Sequence, residues 1–493
     1  MKKLTAITCI IFLLASCTKF VDTPSPESSV DAAKVFEKDN SAIATVNAVL
    51  SDLGNTYSIL QGGRGVSIVS GLLSDELNTV SMLPDYIEIW SNSLLSSNTI
   101  PANIWSGFYR NIYNVNATIE GASASTSLTP AIKSQILGEA RYLRAFMYFY
   151  LVNMYGPVPL ITSTNYQVNR VAGRTSVNDV YKQVIEDLKE ADKLLTVEYR
   201  NHLGAIVTQR FRPNKYAAKA LLARVYLYTG QWADAEAEAT AVIDQPASYN
   251  LVQDLNQVFR QPASAEVLWE FAPAYGAVAA GVTSLFTGDG GHFNPAVLKA
   301  YGLGPQPSGY DLSNYLSDSI VNAFSATDKR KVQWLESVTA GGKTYYFPFK
   351  YKTDVFGLST VQEYFVVQRT AEVYFIRAEA RIQQNNIENG VKDINAVRSR
   401  ANLADTSAAT KAAAMGILEK EKRLELFTEW GHRWFDLKRW PGKDNPAISR
   451  AEEVMKVITP LKGGTWKKDW LLLPLPQTDI INNPFLVQNN GYQ

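Results

Sequence analysis

His432 and Asp436 stand four residues apart, so on one helix they would face each other as an acid–base pair. Around them lie Arg433, Trp434, Lys438 and Arg439, a setting better suited to a helix junction held by hydrogen bonds and ion pairs. Asp75, Glu76, Asp289 and Asp311 could serve a glycosidase, which needs two carboxylates at a defined separation across a cleft. Spacing alone brings no such pair together, and there is no G-x-S-x-G nucleophile motif. The three histidines, His202, His292 and His432, lie far apart and in no metal-ligand spacing. The two cysteines, Cys9 and Cys17, both fall in the first seventeen residues, so the body has neither a disulfide framework nor a Cys-ligated metal. Gly62-Gly63-Arg64-Gly65 lacks the Lys-Ser/Thr of a phosphate loop. Gly288-Asp289-Gly290-Gly291 has too few acidic ligands for a cation loop. The expectation is a chain with no metal, no cofactor and no catalytic residue.

Binding chemistry is better supplied. Aromatic residues make up 11% of the 493, with 25 Tyr and 10 Trp. Rings that escape the core can stack on flat ligands or sugar faces. Tyr86 and Trp90 sit beside Ser91, Asn92 and Ser93, and Tyr301 and Trp334 lie in a Gly- and Pro-rich stretch. Arg64 offers a fork of N–H donors. Arg64, Tyr86, Trp90, Tyr301 and Trp334 are therefore the expected ligand contacts, because they lie in segments without helical period.

The rest of the chain is mostly helical in pattern. Ile136, Ala140, Leu143, Met147, Tyr150 and Met154 mark one stripe, which Gly156-Pro157 ends. Ala223, Tyr226, Gly230, Ala235 and Val242 fit the small-and-large spacing of a tetratricopeptide repeat, and Ala378, Gly390, Ile394 and Val397 repeat it. Paired helices are expected over about 34–120, 132–195, 214–244 and 370–402, stacked so that neighbours bury what one pair cannot. The fold class is thus mainly α, a superhelical frame of tetratricopeptide-like helix pairs. A variable, ligand-binding insert at about 245–368 carries short strands such as Val267–Phe271 and Thr344–Tyr351. Residues 31–493 read as a single domain.

Lys2 and Lys3 precede an apolar run too short to span a bilayer, and Ala15 and Ser16 precede Cys17. Leu14-Ala15-Ser16-Cys17 resembles a bacterial lipobox. That implies removal of residues 1–16, lipidation of Cys17 and a flexible tether over 17–30. The formal net charge is +1, from 48 basic and 47 acidic residues, so nucleic acid is excluded as a partner.

The stretch Leu418–Trp440, LEKEKRLELFTEWGHRWFDLKRW, reads as a helix, a break at Gly431 and a second amphipathic turn. Its Glu419, Glu421 and Glu425 alternate with Lys420, Lys422 and Arg423, as close ion pairs on an exposed side would. This stretch resembles the signature block of the SusD/RagB family. GEARYLRAFMYFYLVNMYGPVPL, the segment from Arg369 to Leu403 and the tail after Leu471 are similar to further family blocks. The resemblance implies a non-catalytic outer-membrane lipoprotein of Bacteroidetes, facing the cell exterior and serving polysaccharide utilisation. It would capture an oligosaccharide, or a peptide, and pass it to a SusC-like TonB-dependent transporter. A surface glycosidase and a repeat scaffold for peptides or proteins are the alternatives.

Overall fold

Local signals start and stop the helices of the frame. The computed structural model describes residues 32–54, 65–260, 264–271, 298–299, 302–307, 313–352 and 363–492. Helix α1 (Asp39–Leu53) buries Ile43, Val46, Val49 and Leu53, one stripe. Helix α2 (Val66–Leu73) is buried at every position, its Ser67 and Ser70 included. Helix α3 (Pro84–Trp90) starts on a proline, whose missing N–H costs nothing there. Helix α4 (Thr99–Ala124) is capped by the Asn98 side chain accepting from the Ile100 N–H. Helix α5 (Pro130–Tyr155) ends at Gly156, whose φ of 76° suits a residue without Cβ. Ser176 and Asn214 cap α6 (Val177–Leu194) and α7 (Lys215–Tyr228), and Gly230 turns the chain into α8 (Trp232–Ile243).

After the insert come α9 (Thr370–Gln383), α10 (Ile387–Arg400), α11 (Lys411–Leu426), α12 (His432–Arg439) and α13 (Arg450–Leu461). Packing runs in a row: α1 on α4, α4 on α5, α5 on α6, α6 on α7, α7 on α8, α8 on α9 and α9 on α10. Each helix thus closes the apolar face of the one before it, the arrangement of a tetratricopeptide-like solenoid. At Gly390 a Cβ would stand 2.9 Å from the Ala378 carbonyl oxygen, so only glycine lets α10 cross α9 this closely.

The strands are short and pair in antiparallel twos. They are β1 (Leu77–Thr79), β2 (Tyr199–Arg200), β3 (Ile206–Val207), β4 (Val267–Phe271), β5 (Asn314–Leu316), β6 (Leu335–Ala340), β7 (Lys343–Pro348) and β8 (Phe365–Arg369). β1 pairs with β5, β2 with β3, β4 with β8, and β6 with β7. The β6–β7 turn is Gly341-Gly342, with φ of 58° and 76°, the left-handed pair that a two-residue hairpin requires. The alternating run at Val267–Phe271 is a strand, but it is buried on both faces rather than one. Trp269 explains this, with Tyr142 and Phe146 edge-on at 5.1 and 5.2 Å. The tail is only partly an extended strap. It includes a helical turn at Gln477–Asn482 and is tied to the end of α5 by Leu473 N–H donating to the Met154 carbonyl at 2.8 Å.

Candidate functional site

The signature stretch is a buried ionic junction. Glu425 receives Arg369 Nη1 at 2.7 Å and Arg400 Nη2 at 2.6 Å on one oxygen, and Arg330 Nη1 at 3.3 Å on the other. Burial opposes its charge, but Arg400, Arg369 and Arg330 prevail and hold its carboxyl at about 2. Arg369 also reaches Glu266 at 2.8 Å and Glu429 at 2.8 Å. The alternating charges of α11 were expected on an exposed side; instead Glu419, Glu421, Lys422 and Glu425 are buried. Arg330 and Arg398 reach Glu421 from elsewhere in the chain, and Arg433 and Asp436 fold back on Glu419 and Lys422 from beyond the Gly431 break, so sequence neighbours do not reveal the pairing.

The break after α11 begins earlier than Gly431. Thr428 and Trp430 already have φ of 56° and 49°, rare for side-chain-bearing residues. Hydrogen bonds hold them there: Thr428 N–H donates to Glu76 Oε2 at 3.2 Å, and Trp430 N–H to Ser67 Oγ at 3.0 Å. His432 and Asp436 do not form an acid–base pair. Asp436 takes Lys422 at 2.8 Å and Arg439 at 2.7 Å, while His432 lies 3.9 Å from Glu372. Burial, then Arg224 and Lys422, push the His432 imidazole well below its usual range. Asp75 is held by Arg433 at 2.9 Å and Arg423 at 3.0 Å. Glu76 is pushed up to about 7, by burial and then by the Asp75 charge. Both carboxylates are therefore parts of the junction; Asp289 and Asp311 lie outside the described residues.

A different constellation runs in from the surface, from exposed Lys343 past half-buried Trp90, Asn78 and Tyr345 to a buried Tyr315. Trp90, half-buried at the end of α3, donates its indole N–H to Asn78 Oδ1 at 3.2 Å. Asn78 stands directly opposite Tyr315 across the β1–β5 ladder, so both side chains leave the same face. Tyr315 meets Tyr345 of β7 edge-on, centroids 5.1 Å apart at 89°. Lys343 Nζ sits 5.3 Å from the Tyr315 ring and 4.9 Å from the Tyr345 ring. The chain at 302–307 runs flat beside this hairpin, since a Cβ on Gly304 would come within 3.4 Å of Tyr345. Met82, 77% exposed, donates its N–H to the Pro307 carbonyl at 3.4 Å. Trp90, Asn78, Tyr315, Tyr345 and Lys343 thus form an aromatic row with an amide and an ammonium along it. Such a row stacks rings and hydrogen-bonds hydroxyls. The hydroxyls of Tyr315 and Tyr345 make no hydrogen bond among the described residues.

Of the contacts expected from sequence, Trp90 lies on this row. Tyr86 and Trp334 do not; they are 1% and 0% exposed. Trp334 donates its indole N–H to the Leu255 carbonyl at 3.0 Å, packs on Phe259 and lies 5.0 Å below Lys350 Nζ. Both are core residues, which corrects their assignment as ligand contacts. Arg64, Tyr301 and the lipobox residue Cys17 lie outside the described residues. Asn78, Tyr315, Lys343 and Tyr345 of the row are not among the contacts expected from sequence. The available signal was the Gly341-Gly342 hairpin, which puts Lys343 and Tyr345 two apart and hence on one face.

Residues 32–227 match a family model described as SusD-like, starch-binding and associating with the outer membrane, and residues 319–492 match that of the SusD family. The chain belongs to the SusD/RagB-like family. A SusD-like protein, P25, of Formosa agariphila is 22% identical, with 98% of each chain covered. The structure of a laminarin-binding SusD-like protein superposes with a TM-score of 0.71 at 22% identity, covering 92% of this chain and 99% of that one. A surface glycan-binding protein A from Bacteroides uniformis superposes at 0.72 and 19% identity, covering 92% and 98%. These two show the shared fold. In this SusD/RagB-like chain, Asn78 and Trp90 fall in the first matched stretch and Lys343 and Tyr345 in the second. Tyr315 lies in the unmatched stretch between them.

Proposed function

We propose that this SusD/RagB-like protein is a non-catalytic lipoprotein, held at the cell surface, that captures oligosaccharide on the aromatic row and delivers it to a SusC-like TonB-dependent transporter. The half-buried rings of Trp90 and Tyr345, backed by the buried Tyr315, carry the reading. Trp90 and Tyr345 offer partly open ring faces for sugar C–H surfaces, with Asn78 and Lys343 to meet hydroxyls or acidic substituents. Arg64 and Tyr301 belong to the same proposal as further contacts. The relatives described as laminarin-binding and as surface glycan-binding support a carbohydrate ligand. Lipidation of Cys17 supplies the anchor. No described helix is long and apolar enough to cross a membrane.

The test is calorimetric titration of the full chain, in a non-glycosidic detergent, with a panel of oligosaccharides and a peptide mixture, and recovery of the ligand for mass spectrometry. The expected result is saturable oligosaccharide binding with the ligand intact. Trp90→Ala or Tyr345→Ala should each cost about 1.5 kcal/mol, roughly tenfold in Kd. Ligand cleavage, or full affinity in the Trp90→Ala/Tyr345→Ala double variant, overturns the proposal. Co-purification with a barrel transporter from outer membranes tests the hand-off.

A further inference from the structure

A recess of about 420 Å³ lies between α11, α12, α13 and the ends of the β1–β5 ladder, where Asp75 precedes β1 and Ser319 follows β5. It shares no residue with the aromatic row. Its inner carboxylates are taken. Asp75 receives Arg433 Nε and Nη2 on its two oxygens. Glu419 receives Arg433 at 3.0 Å, Arg450 at 3.2 Å and Lys443 at 2.6 Å. Glu453 receives the backbone N–H groups of Lys443, Asp444 and Asn445, and Arg450 Nη1 at 2.7 Å. The Asp444 carboxylate, exposed at the rim, is balanced in charge by exposed Lys420.

The donors are not all taken. Arg423 Nη2 donates to Asp75 Oδ2 at 3.0 Å and to Ser319 Oγ at 2.8 Å, both on the recess wall. Its Nε is sealed inside the protein. Nη1 of the same guanidinium is neither sealed nor hydrogen-bonded among the described residues. Arg450 uses Nε on Glu419 and Nη1 on Glu453, and its Nη2 is likewise open and without a partner among the described residues. A guanidinium cannot shed its charge, so each open Nη is a charged donor left for water or for a ligand oxygen.

The balance of charge favours an anion. Burial, and then Arg433 beside it, hold the Arg423 guanidinium below its usual range despite Asp75, Glu76 and Glu419. Its charge is therefore under-compensated. Ala323, Val454, Val457 and Ile458 add an apolar wall, on which Val457 is 65% exposed. The volume is that of about fourteen liquid waters, enough for a sugar ring with an acidic substituent. We infer that the recess is a second binding site, taking a small organic oxyanion. Carboxylate or sulfate oxygens of a sugar-sized ligand meet the open N–H groups of Arg423 and Arg450, and its carbon skeleton lies on the apolar wall. The site stands whether or not the aromatic row binds oligosaccharide.

The test uses the full chain carrying Trp90→Ala, Lys343→Ala and Tyr345→Ala, which removes the row and its ammonium, in a non-glycosidic detergent. Calorimetric titration compares D-glucuronate, D-glucose 6-sulfate, D-glucose and inorganic sulfate. At least one of the two sugar anions should saturate with a Kd of about 1–10 mM, the range a ligand of this size reaches. It should bind at least about tenfold more tightly than D-glucose, and about threefold more tightly than inorganic sulfate, which cannot use the apolar wall. Adding Arg423→Gln, which removes a charged donor, should weaken sugar-anion binding at least about tenfold. Adding Lys420→Glu with Val457→Glu instead sets two negative charges at exposed positions of the recess, and should weaken it at least about fivefold. An unchanged melting temperature shows that a variant folds, and the Lys420→Glu/Val457→Glu variant suffices if Arg423→Gln does not. The inference is overturned if neither sugar anion saturates below about 100 mM, or if inorganic sulfate binds as tightly as they do. It is also overturned if the folded variants bind as before, or if soaked crystals place the sugar anion away from Arg423 and Arg450.

Discussion

Glu425→Gln isolates what the signature stretch does. The side chain keeps its shape and loses the charge that Arg369, Arg400 and Arg330 share. Its new NH₂ must also point at a guanidinium, donor against donor. Glu266, Glu429, Glu421 and Asp328 remain to share the three arginines, which keeps the loss finite. Breaking a buried ion pair from one side costs about 3–5 kcal/mol. The depression of the Glu425 carboxyl from 4.5 to about 2 gives a figure of the same size, about 3 kcal/mol. A chain of this length unfolds with an entropy of roughly 1 kcal/mol/K, so Tm should fall by ~3–5 °C at pH 7. The folded pKa is depressed, so the stabilisation is complete above the unfolded value and is lost as pH falls from there through the folded value. At pH 3 about 2 kcal/mol of it is gone, and the gap between wild type and variant should narrow by ~2 °C. Differential scanning calorimetry of both proteins at pH 7 and pH 3 reads this directly. A variant within 1 °C of wild type at pH 7, or a gap that ignores pH, refutes the argument that the junction is held by this shared charge.

Glu76 should behave in the opposite sense. Its folded pKa is raised to about 7, so its burial costs stability as pH rises from about 4.5 through 7, and Glu76→Gln should raise Tm at pH 8 and change it little at pH 4.5. Gly431→Ala places a Cβ 2.6 Å from Ser70 Oγ at a φ of 74°, and should lower stability by at least about 2 kcal/mol in thermal melts. Cys17→Ala should release the protein from the membrane fraction, seen by immunoblotting after cell fractionation; continued membrane association would remove Cys17 as the anchor. Lys343→Ala should weaken binding of uronate-containing oligosaccharides more than that of neutral ones, measured as a ratio of Kd values.

The parts of this molecule that local chemistry decides are legible in its sequence. The stripe through Ile136 and Met154, the stop at Gly156 and the caps at Ser176 and Asn214 each depend on residues within a few positions. The repeat spacing around Gly390 is legible for the same reason. What depends on distant partners is not. Trp90 and Trp334 sit in similar stretches of sequence, yet one is half-buried on the row and the other closed over by Phe259 and Lys350. Asn78 is unremarkable until Tyr315 is paired opposite it. The charges of Glu421 and Glu425 look solvent-facing because Arg330, Arg369 and Arg400 are remote in the chain.

The β1–β5 ladder has a consequence for how the chain comes into being. It joins residues 77–79 to residues 314–316, and Glu76 beside it waits for Thr428, 352 positions onward. Closing such loops costs entropy before any contact repays it, so the row assembles late. The helix pairs can form as they emerge, from contacts between neighbours. A nascent or truncated chain ending before the signature stretch would thus carry much of the solenoid and every residue of the row, but not the Thr428 contact to Glu76 beside β1. The buried carboxylates of Asp75 and Glu76 therefore meet their partners Arg423, Arg433 and Thr428 only near the end of synthesis, and the chain must be kept from aggregating until then.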